Sequence, residues 1–99
     1  MNISINAVGF KADQKLEDLI SKKVSKIGSL FEGVISSEVT LKLDARERPE
    51  NKVTEIRLVI PGDDLFVKKQ SATFEESVDA ASLALKKQLE KHKDRLRRQ

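Results

Sequence analysis

From Phe74 onward the chain sets Val78, Ala81, Leu85, Leu89, His92 and Leu96 in one stripe, because residues three and four apart share a face of an α-helix that turns about 100° per residue. Thr73 with Glu76 three residues later is a capping box at its start, the hydroxyl and the carboxylate each satisfying a free backbone N–H. The spacing predicts a helix of about six turns, from Thr73 to near Arg98, the longest element of the protein. Its single dry face needs an apolar surface to lie on, and the segments upstream supply one.

Ile3, Ile5 and Ala7 alternate with Asn2, Ser4 and Asn6, the two-residue period of a half-buried strand, which Gly9 closes. Leu16, Leu19, Ile20, Val24 and Ile27 then fall on one helical face. Asp13 suits the N-cap, Glu17 and Asp18 favour the positive end of the helix, and Gly28 suits its C-terminal stop. The first helix is therefore expected over residues 13–28. Val39, Leu41, Leu43 and Ala45 alternate with Glu38, Thr40, Lys42 and Asp44 in a second strand. Residues 46–52 are charged, contain Pro49 and lack apolar side chains, so they read as an exposed connection. Val53 to Ile60 forms a third strand, and Pro61-Gly62-Asp63-Asp64 a turn. Leu65, Val67 and Lys69 open a fourth strand, expected at an edge because of the Lys68-Lys69 pair.

The order β-α-β-β-β-α predicts an α+β two-layer sandwich, with both helices on one face of a mainly antiparallel four-stranded sheet. The 99 residues are expected to form one domain, residues 1–99. No segment approaches the roughly 20 apolar residues needed to span a bilayer, and the N-terminus lacks the apolar run of a signal peptide, so the expected location is the cytoplasm.

Several chemistries are excluded. The chain has no Cys, hence no disulfide framework, thiolate nucleophile or Cys-based zinc site. The glycines are scattered singly, so no glycine-rich loop cradles a phosphate. His92 lies on the apolar stripe without a second ligand and reads as a packed or boundary histidine. Asp63 and Asp64 read as solvated turn residues. The chain is not expected to be an enzyme, to hold a metal or cofactor, or to act on a small-molecule substrate.

Charge points elsewhere. The formal net charge of +3 divides unevenly: the last fourteen residues carry +5 and the first 85 carry −2. On the first helix Lys15, Lys22 and Lys26 border the apolar face, and Lys23 falls inside it and must extend outward along its stem. On the second helix Lys87, Lys91, Arg95 and Arg98 line one flank and Lys86, Lys93 and Arg97 the other. With both helices on one sheet face, these residues are expected to form a common cationic surface of the kind that tracks phosphates. The competing reading is an ordinary solvated helix face, with Glu90 four residues after Lys86 as an intrahelical partner. The chain has four Phe and no Tyr or Trp. Phe10, Phe31, Phe66 and Phe74 are mostly placed for the core, which leaves no platform for stacking single-stranded bases. Folded RNA read by shape and backbone fits better, and the apolar stripe is needed for the core rather than a membrane.

These residues resemble a known family, the short ribosome hibernation promoting factors and the related ribosome-associated translation inhibitor, once called sigma-54 modulation proteins. The likeness spans nearly the whole chain and is most specific in the second helix, at Ser77-Val78-Asp79, Leu85-Lys86-Lys87-Gln88-Leu89 and Lys91-His92-Lys93. The Pro61-Gly62 hairpin and the opening Met1-Asn2-Ile3 strand also match. Glu75 stands where the family has an aromatic, and Ala84 where it has a basic residue.

The resemblance implies the fold just derived, similar to double-stranded-RNA-binding domains. It implies binding to the small ribosomal subunit in the channel for mRNA and tRNA, silencing ribosomes in stationary phase or starvation. Carried over by position, it places 16S rRNA contacts on Lys23, Lys26, Lys87 and Lys91; the charge pattern adds Lys22 and Lys86. A chain ending at Gln99 is expected to be the short form, without a dimerisation domain, promoting ribosome pairing with a ribosome modulation partner rather than blocking it. The alternatives are a protein-interaction module regulating a transcription factor and a general structured-RNA binder.

Overall fold

Alternating and helical periodicities become, in the computed structural model, the elements β1 (Asn2–Ala7), α1 (Gln14–Gly28), β2 (Ser36–Leu43), β3 (Lys52–Ile60), β4 (Asp63–Ser71) and α2 (Phe74–Arg97). The structure describes residues 1–97, without the side chains of Leu96 and Arg97. The expectations for Leu96 on the stripe, and for Arg97 and Arg98 on the flanks, thus lie outside the described residues.

The four strands form one sheet in the order β1-β2-β3-β4. β1 runs parallel to β2, because α1 carries the chain back between them. The β2–β3 and β3–β4 pairs are antiparallel hairpin partners. Register places Ile5, Val39, Ile56 and Val67 in one row across the sheet, and Ile3, Ser37, Leu58 and Leu65 in the next. These rows face the helices. Leu16, Ile20, Val24 and Ile27 of α1 and Val78, Ala81, Leu85 and Leu89 of α2 close over them in one buried core. Each of the leucine, isoleucine and valine side chains among them contributes about 1.5–3 kcal/mol by leaving water.

The sequence-based boundaries shift for identifiable reasons. The second strand lies earlier than alternation predicts, because Asp44 turns out of it to organise the loop. Its amide donates to the Asn51 carbonyl (2.9 Å), and its carboxylate accepts from the Arg46 amide (3.2 Å) and from Gln70 Nε2 (2.9 Å). Val53, in the outer row of β3 between Lys42 and Gln70, lines a hollow with Asp44, Ala45 and Arg46 of that loop and is 2 % exposed. The fourth strand begins at Asp63, opposite Ile60, so the turn contracts to Pro61-Gly62 with Gly62 at φ +79°. As expected, β4 is an edge strand.

Three side-chain expectations change. Gly28 is the last helical residue of α1, not a left-handed stop; Ser29 caps the helix at φ −73°. What Gly28 provides is room, since the Met1 side chain packs where its Cβ would be. Only the hydroxyl half of the capping box forms, Thr73 Oγ1 accepting from the Glu76 amide (3.1 Å). Phe66, finally, is not core: it lies on the open face of the sheet, 48 % exposed, while Phe10 and Phe74 stack at 5.0 Å.

Candidate nucleic-acid interface

Both helices present their outer flanks to solvent because their inner stripes are fixed on the sheet. α1 is set by Asp13, whose carboxylate accepts from the Leu16 amide (2.8 Å), and α2 by the Thr73 cap. Between the two outer flanks runs a groove of about 520 Å³, into which Lys23, Lys26 and Lys86 converge from the two helices. Glu76 and Asp79 line the same groove, and Leu83 forms part of its wall.

The six lysines singled out from the sequence do not make one continuous surface. Lys23, Lys26 and Lys86 meet in the groove, with Lys22 exposed beside them on α1. Lys87 is exposed on the outer ridge of α2. Lys91 lies on the other side of that ridge, sharing a hollow of about 310 Å³ with Gln88, Arg95 and Asp63 of the β3–β4 hairpin. The helix turn explains the split, since Lys86 and Lys91 are separated by about 140° around α2.

Their electrostatic states also differ. Lys23 emerges from the apolar face, as its position demands, and its ammonium pairs with the Asp79 carboxylate across the helices. Among the described residues, Lys22, Lys26, Lys86, Lys87 and Lys91 form no ion pair. Lys93, expected on a cationic flank, is instead committed to the fold. It donates to the Leu30 carbonyl and lies 6.0 Å from the centre of the Phe31 ring. His92 packs edge-on against that ring at 5.8 Å, which makes it a boundary histidine.

Sequence reasoning missed Asp79 and Glu76 as acidic members of the groove. Asp79 lies on the same flank of α2 as Lys86, two turns before it, and Glu76 stands three residues before Asp79, so helical phase could have found them once α1 and α2 were known to be neighbours. Among the described residues no group of three His, Cys, Asp or Glu side chains gathers to hold a metal. No helix there is long and apolar enough to cross a membrane.

Comparison with known proteins supplies the rest. A ribosome hibernation promoting factor of Pseudomonas putida is 27 % identical over 95 residues, covering 96 % of this chain and 89 % of that protein. The N-terminal domain of Thermus thermophilus Protein Y superposes with a TM-score of 0.80 at 22 % identity, covering 93 % of this chain and 99 % of the other. A ribosomal subunit interface protein from Coxiella burnetii gives a TM-score of 0.83 at 20 % identity, with 95 % and 99 % covered. The model of the family described as sigma 54 modulation protein / S30EA ribosomal protein matches residues 3–97. With its β-α-β-β-β-α sandwich and this match along nearly its full length, the chain belongs to that family of ribosome hibernation and subunit-interface proteins, which act by binding and not by catalysis.

Proposed function

We propose that the chain is a cytoplasmic ribosome hibernation factor that acts as a single binding domain on the small ribosomal subunit. Its lysines Lys22, Lys23, Lys26, Lys86, Lys87 and Lys91 contact 16S rRNA phosphates, and its body occludes the path of mRNA and tRNA, silencing translation in stationary phase or starvation. The observation that carries this reading is that five of the six are exposed and, among the described residues, without an acidic partner. A lysine used only to solvate or staple a helix has no need to stand apart from the acids around it, whereas a phosphate contact needs an uncommitted ammonium.

The test is co-sedimentation with small subunits. The pair K87E/K91E should abolish binding with an unchanged circular dichroism spectrum, both residues being exposed on α2. For about six phosphates, log affinity should fall with log salt at a slope near −4 on single-strand-like RNA and more steeply on duplex. Unchanged co-sedimentation of the double variant overturns the reading. Equal competition by unrelated duplex RNA would replace it with general structured-RNA binding.

A further inference from the structure

The two edges of the sheet differ in kind. β4 carries Asp63, Asp64, Lys68 and Lys69, and α2 packs across it. β1 is the opposite edge, and its six residues, Asn-Ile-Ser-Ile-Asn-Ala, include no charge and no proline. Charges, prolines, bulges or a covering element are the means by which edge strands avoid pairing with another chain. β1 has neither charge nor proline.

The backbone of β1 points the same way. The Val8 amide donates to the Leu41 carbonyl at 2.8 Å. Along a strand the N–H and C=O of one residue face the same neighbour, and successive residues alternate. Asn2, Ser4 and Asn6 therefore turn their backbone groups toward β2, and Ile3, Ile5 and Ala7 turn theirs outward. That outward row is a template for a further strand.

The sequence selects which strand. Asn2-Ile3-Ser4-Ile5-Asn6 reads the same in both directions. In an antiparallel pair centred on Ser4, Ile3 exchanges both backbone hydrogen bonds with Ile5 of a second copy, and Ile5 with Ile3. Ser4 faces Ser4, and Asn2 faces Asn6. Each side chain meets one from the same face: the half-buried isoleucines join on the helix side and the exposed Asn and Ser residues on the open side. A one-residue slip would set isoleucine against asparagine, and no register brings like charges together.

We propose that β1 is a self-pairing edge, through which two copies join about a two-fold axis at Ser4 into one eight-stranded sheet with all four helices on the same side. The inference goes beyond the ribosome-binding reading and does not depend on it.

The wild-type chain, followed by sedimentation equilibrium from micromolar to millimolar concentration, should rise from 11.1 kDa toward twice that mass. Ser4→Lys sets two ammonium groups against each other on the axis while standing opposite Glu38 of its own β2, and should weaken the dimer by about tenfold or more. The chain has no cysteine of its own, so cross-linking reads the register directly. Ser4→Cys places two thiols opposite each other, with Cα atoms about 4.5 Å apart. Asn6→Cys leaves its two thiols about 13 Å apart along the strands. Ser4→Cys should oxidise to a covalent dimer at least about tenfold faster than Asn6→Cys. A mass that stays at 11.1 kDa throughout, or equal cross-linking of the two variants, overturns the proposal; the second result would assign any dimer to a different surface.

Discussion

Lys23 and Asp79 are joined across the two helices, an ion pair lining the groove whose lysine stem is mostly packed and whose carboxylate is mostly solvated. The pair holds α1 against α2, and the Lys23 ammonium must exchange the Asp79 carboxylate for a phosphate when RNA binds. Because the carboxylate is 64 % exposed, its removal should cost stability only about 0.2–1 kcal/mol. The larger effect is on binding. Asp79→Asn deletes a negative charge from a surface that we propose meets phosphates, and spares the Lys23 ammonium that exchange. Small-subunit affinity should rise at each salt concentration, with the slope staying near that of the six-lysine surface. A salt titration of co-sedimentation checks this, and weaker binding by Asp79→Asn would refute it.

A second prediction concerns the junction of sheet and helix. Thr54 Oγ1 and Ser77 Oγ lie 2.6 Å apart with both residues fully buried. Ser77 Oγ donates to the Phe74 carbonyl (3.2 Å), so its one proton is used and the Thr54 hydroxyl is the donor. Ser77→Ala leaves that buried hydroxyl without its acceptor and should cost about 1–3 kcal/mol. The double variant T54V/S77A removes both polar groups and should cost less than the two single changes combined. Urea unfolding of the three variants measures the coupling; strict additivity would show that the two hydroxyls act independently.

What was legible in the sequence follows from locality. The two-residue alternation in Ile3–Ala7 and Ile56–Ile60, the Asp13 cap and the stripe from Phe74 to Leu89 are set by neighbours in the chain, and each became the element its period implies. The position of Lys23 inside an apolar face already required its stem to reach outward. Its partner Asp79 was hidden, because nothing local on α1 specifies which residue of α2 will stand opposite. Val53 was hidden for a similar reason: the loop beside it is rich in charge, has Pro49 and reads as exposed. Phe66 could have been placed correctly, since it lies between Leu65 and Val67 and must point to the other face. Strand parity outweighs the preference of an aromatic side chain for burial. The lysines were legible as a set but not as a surface, because their division between groove and far flank depends on where the β3–β4 hairpin lies.

Glycines test backbone geometry against packing. At Gly28 an added Cβ would come within 2.6 Å of Met1 Cε and 2.9 Å of Sδ. Those atoms end a flexible side chain that is 47 % exposed, so it can swing aside. The backbone there is helical, where alanine is favoured by up to about 1 kcal/mol. Gly28→Ala should therefore be neutral or stabilising. Gly62→Ala has open space for its Cβ but a φ of +79°, and should cost about 1 kcal/mol or more. Thermal melts that reversed this order would mean the Met1 contact outweighs helix propensity.

The last prediction follows from Asp44. The Arg46 amide and the Gln70 side-chain amide both donate to its carboxylate, and with the nearby Arg46 and Arg48 charges they hold its pKa below the ordinary 3.8. These donors favour the ionised form, so the folded state binds the proton less readily than the unfolded chain does. The stabilisation is then present above the unfolded pKa and is lost as pH falls through the folded one. Asp44→Asn keeps the shape of the side chain but removes both the charge and the titration. The gap in stability between wild type and Asp44→Asn should be widest near neutral pH and should shrink between about pH 5 and about pH 2. Denaturant midpoints across that range provide the measurement. Two parallel curves would show that the loop donors bind the neutral and ionised carboxyl equally, and that residues 44–52 are held beside Val53 by something other than this charge.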